Sequence, residues 1–246
     1  TNLIFVGNYL YVGKIRFSTA CSQIAGSAAG CELMVFDISS TTNPIYVAGR
    51  DASGDSAGIA STWIYTLNTV GNYLYVGKSS SATACSQTAG SAIGCELMVF
   101  DISSTTNPTY VAGRDASGDS TGVGSDTVSR FIIVGNYLYV GKWSNSTACS
   151  QTAGSAIGCE IMVFDISSST NPIYVAGRDV SGDSTGTGSN HIYSLTTAGN
   201  YLYVGKGSNA TACSQTAGSA IGCELQVYDA TPSGISVGSL SGSSAL

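Results

Sequence analysis

Eight cysteines stand in four pairs, Cys21/Cys31, Cys85/Cys95, Cys149/Cys159 and Cys213/Cys223, and each pair bounds a small uncharged stretch such as CSQTAGSAIGC. Paired thiols can ligate metal, attack substrates or form disulfides. Zinc sites use shorter cysteine spacings completed by further Cys or His, and here C-x9-C has only His191 to draw on. A reactive thiolate needs a basic neighbourhood, which these loops lack. The pairs are therefore expected to be four disulfides within an oxidising compartment. Each would tie off an exposed loop, contributing up to about 3 kcal/mol by loop closure.

Other polar residues recur in the same way. Lys14, Lys78, Lys142 and Lys206 each precede a cysteine loop, and Glu32, Glu96, Glu160 and Glu224 each follow one. Placed across a hairpin they make a cross-strand ion pair, worth under about 1 kcal/mol if exposed; a catalytic Lys/Glu site present four times over is a poor alternative. GRDASGDS at Gly49 and Gly113 and GRDVSGDS at Gly177 offer Asp51/Asp55, Asp115/Asp119 and Asp179/Asp183 as oxygen ligands. Their spacing is not that of an EF-hand, and Asp and Ser beside Gly make turns, which is the preferred reading. Asn145 and Asn209 head glycosylation sequons at equivalent positions. His191 has no Ser or Asp constellation of triad type around it in sequence and is placed in a loop or strand end. No catalytic residue, resident metal or cofactor is assigned.

What must position these residues is a repeat. GNY begins at Gly7, Gly71, Gly135 and Gly199, a step of 64 residues that the cysteines and Asp37, Asp101, Asp165 and Asp229 share. The single domain 1–246 is read as repeats of approximately 1–63, 64–127, 128–191 and 192–246. Within residues 64–127 four extended segments are expected: Ile64 to Val70, Tyr73 to Lys78, Glu96 to Ser103 and Pro108 to Asp115. Gly71-Asn72 suits a two-residue hairpin because both residues tolerate positive φ. Leu97 and Val99 point to one face of the third segment and Met98 and Phe100 to the other, so both faces need covering. A linear stack would expose two apolar ends and want polar caps, whereas a ring of four-stranded units removes them. The expectation is an all-β, four-bladed β-propeller of four antiparallel strands per blade, its sixteenth strand within Ile235–Leu240.

The series GNYLYVG, ELMVFDIS, NPIYVAG resembles the LVIVD-type repeat of bacterial and archaeal surface β-propellers. The resemblance extends over each of the four units, and the cysteine-bounded insertion departs from it. It implies the propeller fold and carries no catalytic residues.

Charged residues make up 10% of the chain against 43% hydrophobic, and the net charge is −6. With no Lys/Arg cluster, nucleic acid is not an expected partner. No apolar run approaches the roughly eighteen residues of a membrane-spanning helix. The chain opens at Thr1 without a signal-type segment, and is read as a mature chain, or a sequence that omits its targeting peptide. Durability, low charge and near-identical units suit a non-enzymatic secreted structural protein that assembles with itself into a filament or surface layer. The alternative is a lectin-like module binding glycans through Trp63, Tyr73, Tyr75 or Trp143. After Asp229 the repeat loses Asn-Pro and Arg-Asp, and Ile235, Val237 and Leu240 form either the outer strand of the last blade or an assembly arm, with residues 241–246 as a loose tail.

Peptide mapping without reduction is expected to recover Cys21–Cys31, Cys85–Cys95, Cys149–Cys159 and Cys213–Cys223; links between repeats would overturn the local pairing.

Overall fold

The computed structural model describes residues 2–14, 21, 31–52, 62–79, 85, 95–116, 127–143, 159–178, 180, 191–207, 223–230 and, for the backbone alone, 236–237. The candidate glycosylation residues Asn145 and Asn209, the cysteines Cys149 and Cys213, and Ile235 and Leu240 lie outside this set.

Every described element is a strand. Blade one holds β1 (Asn2–Val6), β2 (Tyr9–Gly13), β3 (Leu33–Asp37) and β4 (Ile45–Arg50). Blade two holds β5 (Ile64–Val70), β6 (Tyr73–Lys78), β7 (Leu97–Asp101) and β8 (Thr109–Arg114). Blade three holds β9 (Thr127–Val134), β10 (Tyr137–Trp143), β11 (Ile161–Asp165) and β12 (Ile173–Arg178). Blade four holds β13 (Ile192–Ala198), β14 (Tyr201–Lys206), β15 (Leu225–Asp229) and the two-residue β16 (Ser236–Val237). Each blade is one four-stranded sheet in simple up-and-down order. The chain is thus an all-β, four-bladed β-propeller by content and blade order.

The sequence dictates the hairpins directly. Gly7, Gly71, Gly135 and Gly199 adopt φ of 56°, 55°, 57° and 58°, a left-handed conformation that glycine enters without steric penalty. Val70 then faces Tyr73 across the turn, and the Asn72 carbonyl accepts a hydrogen bond from Ile102 N–H at 2.8 Å. The third strand ends in an Asx turn, with Asp101 Oδ1 accepting from Ser103 N–H at 2.7 Å. That backbone bond holds the Asp101 carboxyl below its usual range. A register shift between Val99 and Phe100, repeated at Val35/Phe36 and Val163/Phe164, puts a bulge into every complete outer pair.

The chain divides into two units, residues 1–128 with 168–172, and residues 129–167 with 173–246. In the first, Tyr11, Leu33, Val35, Ala48 and Ala52 of blade one share a core with Ile64, Leu74, Val76, Met98, Phe100 and Ile102 of blade two. Two side chains of blade one, Arg50 and Tyr11, lock this contact in register, and Arg114 and Tyr75 repeat their bonds on residues 169–172. Arg50 Nε donates to the Pro108 carbonyl at 2.5 Å, and its Nη2 donates to Asn107 Oδ1. Arg114 repeats both bonds on Pro172, at 2.5 Å, and Asn171. The Tyr11 hydroxyl donates to the Thr105 carbonyl at 3.0 Å, and Tyr75 does the same to Ser169 at 3.3 Å. In the second unit, Tyr139, Ile161 and Val163 pack with Ile192, Leu202, Val204 and Tyr228, and the Tyr139 hydroxyl donates to the Ala230 carbonyl at 3.0 Å.

Blade four differs where the sequence departs from the repeat. Among the described residues its outer strand contributes the pairs Tyr228↔Val237 and Asp229↔Ser236, so the Val237 backbone lies in the blade. Gln226, standing where the other blades have Met34, Met98 and Met162, donates to the Val180 carbonyl at 2.9 Å and accepts from the Tyr228 hydroxyl at 2.5 Å. Arg114→Ala is expected to cost roughly 2 kcal/mol, the usual worth of hydrogen bonds to a charged group. Urea unfolding would measure it, and a loss within error of zero would remove the guanidinium as a blade clamp.

Candidate functional site: a buried charge layer and an aromatic row

Cys21 is bonded to Cys31 and Cys85 to Cys95, with Cα–Cα distances of 4.3 Å. Cys159 and Cys223 are also disulfide-bonded. Cys31, Cys95 and Cys159 are fully buried, and Cys85 packs against the core of the first unit; the loops they bound lie outside the described residues. Cys95 Sγ lies 3.9 Å from the Tyr110 hydroxyl, and Cys31 Sγ 3.8 Å from that of Tyr46. Both groups press on the backbone at Gly113 and Gly49, where any Cβ would collide with them. This explains the glycine of each GRD triplet in terms of packing. Burial pushes the Tyr110 hydroxyl up to about 12, against the nearby Arg114 charge.

The Lys/Glu pairs sit across from each other, with Lys78 N–H donating to the Glu96 carbonyl at 2.9 Å and the same bond at Lys14, Lys142 and Lys206. They are not an exposed pair. Lys78, Lys142 and Glu32 have no exposed surface, and Glu96, Glu160 and Lys206 are buried as well; Lys14 is half-buried and Glu224 exposed. Each buried carboxylate has a second task, accepting the backbone N–H of the loop after the outer strand. Glu32 Oε2 takes Ala52 N–H at 3.0 Å, Glu96 takes Ala116 at 2.8 Å and Glu160 takes Val180 at 3.0 Å. Burial lowers the Lys78 ammonium, while the charges of Glu96, Glu32 and Asp51 oppose that shift. Lys78 thus answers to carboxylates of two blades within one unit. An amine with no exposed surface cannot meet a substrate in this conformation, so the layer works on the joint between blades.

The aromatic residues named for sugar contact divide. Tyr75 is buried, its hydroxyl committed to Ser169, and Tyr73 is half-buried. Trp63 is 42% exposed and lies 5.9 Å from Tyr65. In the other unit Trp143 meets the His191 ring edge-on at 4.7 Å, and Tyr193, 55% exposed, follows at 6.2 Å. His191 bridges to Trp143 at the start of blade four, which makes it a strand-end residue. Among the described residues no group of three or more His, Cys, Asp or Glu side chains is placed to hold a metal ion.

These blades and their clamps define a repeat β-propeller. The LVIVD repeat model matches residues 127–147, which begin with β9 and β10. A crystal structure of a Lactobacillus plantarum protein is similar over 94% of this chain and 67% of its own, at 9% identity and a TM-score of 0.42. No curated protein matches the sequence.

Lys78 Nζ donates to the Ser79 carbonyl at 3.4 Å and its charge offsets those of Glu96, Glu32 and Asp51; leaving a buried charge uncompensated costs roughly 3–5 kcal/mol. Lys78→Met is therefore expected to destabilise the protein by that order, more than Lys14→Met, whose lysine is half-buried. Equal and small losses in chemical denaturation would show the layer to be electrostatically inert.

Proposed function

We propose that this protein is a non-enzymatic structural β-propeller, secreted and acting as a self-assembling subunit of an extracellular filament or surface layer. One observation carries the reading: the polar groups that recur from blade to blade are committed to the joints. Arg50 and Arg114 hold Asn-Pro turns, Glu32 and Glu96 hold loop backbones, and Tyr11 and Tyr75 hold neighbouring carbonyls. A ligand-binding or catalytic repeat would present such groups to solvent. The disulfides favour an oxidising, extracellular setting, and glycans on Asn145 and Asn209 would fit it. The partner is the protein itself.

A second reading, a lectin-like module, draws on the exposed Trp63 and on the Trp143–His191–Tyr193 row. Aromatic faces of this kind suit stacking on sugar rings. Negative-stain microscopy and light scattering over a wide concentration range separate the two. Polymers are expected; a monomer at the highest concentration whose tryptophan fluorescence changes with added oligosaccharide would hand the function to the second reading.

A further inference from the structure

The side chains that most proteases recognise are unevenly placed along this chain. Of its nine lysines and arginines, all but Arg16 lie in a strand or directly beside one. The same holds for the aromatic residues and methionines, of which only Phe17 falls elsewhere. The connecting stretches 53–61, 80–94, 117–126, 144–158, 181–190 and 208–222 contain no Lys, Arg, Phe, Tyr, Trp, Leu or Met.

The basic residues that the strands carry are also engaged or covered. Lys78 and Lys142 have no exposed surface, and Lys206 is buried. Arg50 Nη1 donates to the Gly49 carbonyl at 2.6 Å while its Nε holds Pro108 of the next blade. Arg114 makes the same two bonds, to Gly113 and Pro172, each at 2.5 Å, and Arg178 Nη1 donates to the Gly177 carbonyl at 2.7 Å. Arg130 is exposed, but its backbone belongs to β9, which pairs with β10. The exposed Phe5 ring is in the same position, its backbone paired with Leu10. A serine protease reads the residue before the scissile bond by taking its side chain into a pocket. For Lys78 that requires β6 to leave the middle of its sheet and the ammonium to leave the interior. Cleavage there follows the opening of the fold, not the encounter with the enzyme.

We infer that the folded chain is refractory to proteases that need a basic or an aromatic residue at the cleavage point, and yields only to those that accept small side chains. Nicking concentrates in connections of small and polar residues, and here those connections lack the residues that the first two classes require. Even a nick between Cys85 and Cys95 leaves its two ends joined by their disulfide. The selectivity belongs to each molecule singly and does not rest on the assembly reading; it suits an oxidising, extracellular setting, where secreted proteases act.

The test is digestion of the full-length protein with trypsin, chymotrypsin and elastase in separate samples, with fragments identified by mass spectrometry. Trypsin and chymotrypsin are expected to leave residues 18–246 whole through an incubation that fully digests the urea-unfolded chain, while elastase nicks the connecting stretches. Thr121→Arg puts a basic residue between β8 and β9, and trypsin is expected to cut after it at least about a hundredfold faster than after Arg50, Arg114 or Arg178. Thr185→Arg, one repeat further on, serves should Thr121→Arg lower the melting temperature. Parent chains cut after a strand residue at a rate within about tenfold of that new site would overturn the inference. So would a folded variant that trypsin leaves intact, or a parent that elastase leaves intact, because the connections would then resist whatever residues they contained. Protection that disappears on dilution would assign it to contact between copies and overturn it as well.

Discussion

A strand that is apolar on both sides has to be sandwiched, and the rest of this protein follows from that. In β7, Leu97, Met98, Val99 and Phe100 are all buried, two on each face of one sheet. A single sheet of four short strands covers neither face, so no blade has a core of its own; the core lies between blades. Apolar contact is non-directional and would tolerate many rotations of one sheet over another. Directional groups remove that freedom. The Arg50 fork on Asn107 and Pro108 and the Tyr11 hydroxyl on Thr105 approach the same turn from two strands of the preceding blade, and both can be satisfied only at one rotation.

The buried charge layer has the same logic at higher stakes. Desolvating an ion costs several kcal/mol even after relaxation, and a well-packed apolar replacement is often no less stable. Stability alone therefore does not account for Lys78 and Glu96. What the pair adds is intolerance of misplacement. Glu96 spends one oxygen on Ala116 N–H, and Lys78 feels carboxylates from its own blade and from Glu32 and Asp51 of the blade before. A slip of one blade would leave a charge buried and uncompensated.

Much of this was legible in the sequence because it is local. The 64-residue period, the Gly-Asn hairpins, the strand positions and the two-faced third strand all follow from neighbouring residues. The burial of the lysines was not. Lys78 and Glu96 read as a cross-strand pair of unassigned burial, because alternation within a hairpin reports which face a residue takes, not what later covers it. The arginine clamp was hidden for a related reason. Arg50 and Asn107 are individually conspicuous, but they meet across different repeats, and only stacking joins them. The coincidence that blade four lacks both Asn-Pro and Arg-Asp was the available clue. The bulge after Val99 left no signal, since no glycine marks it.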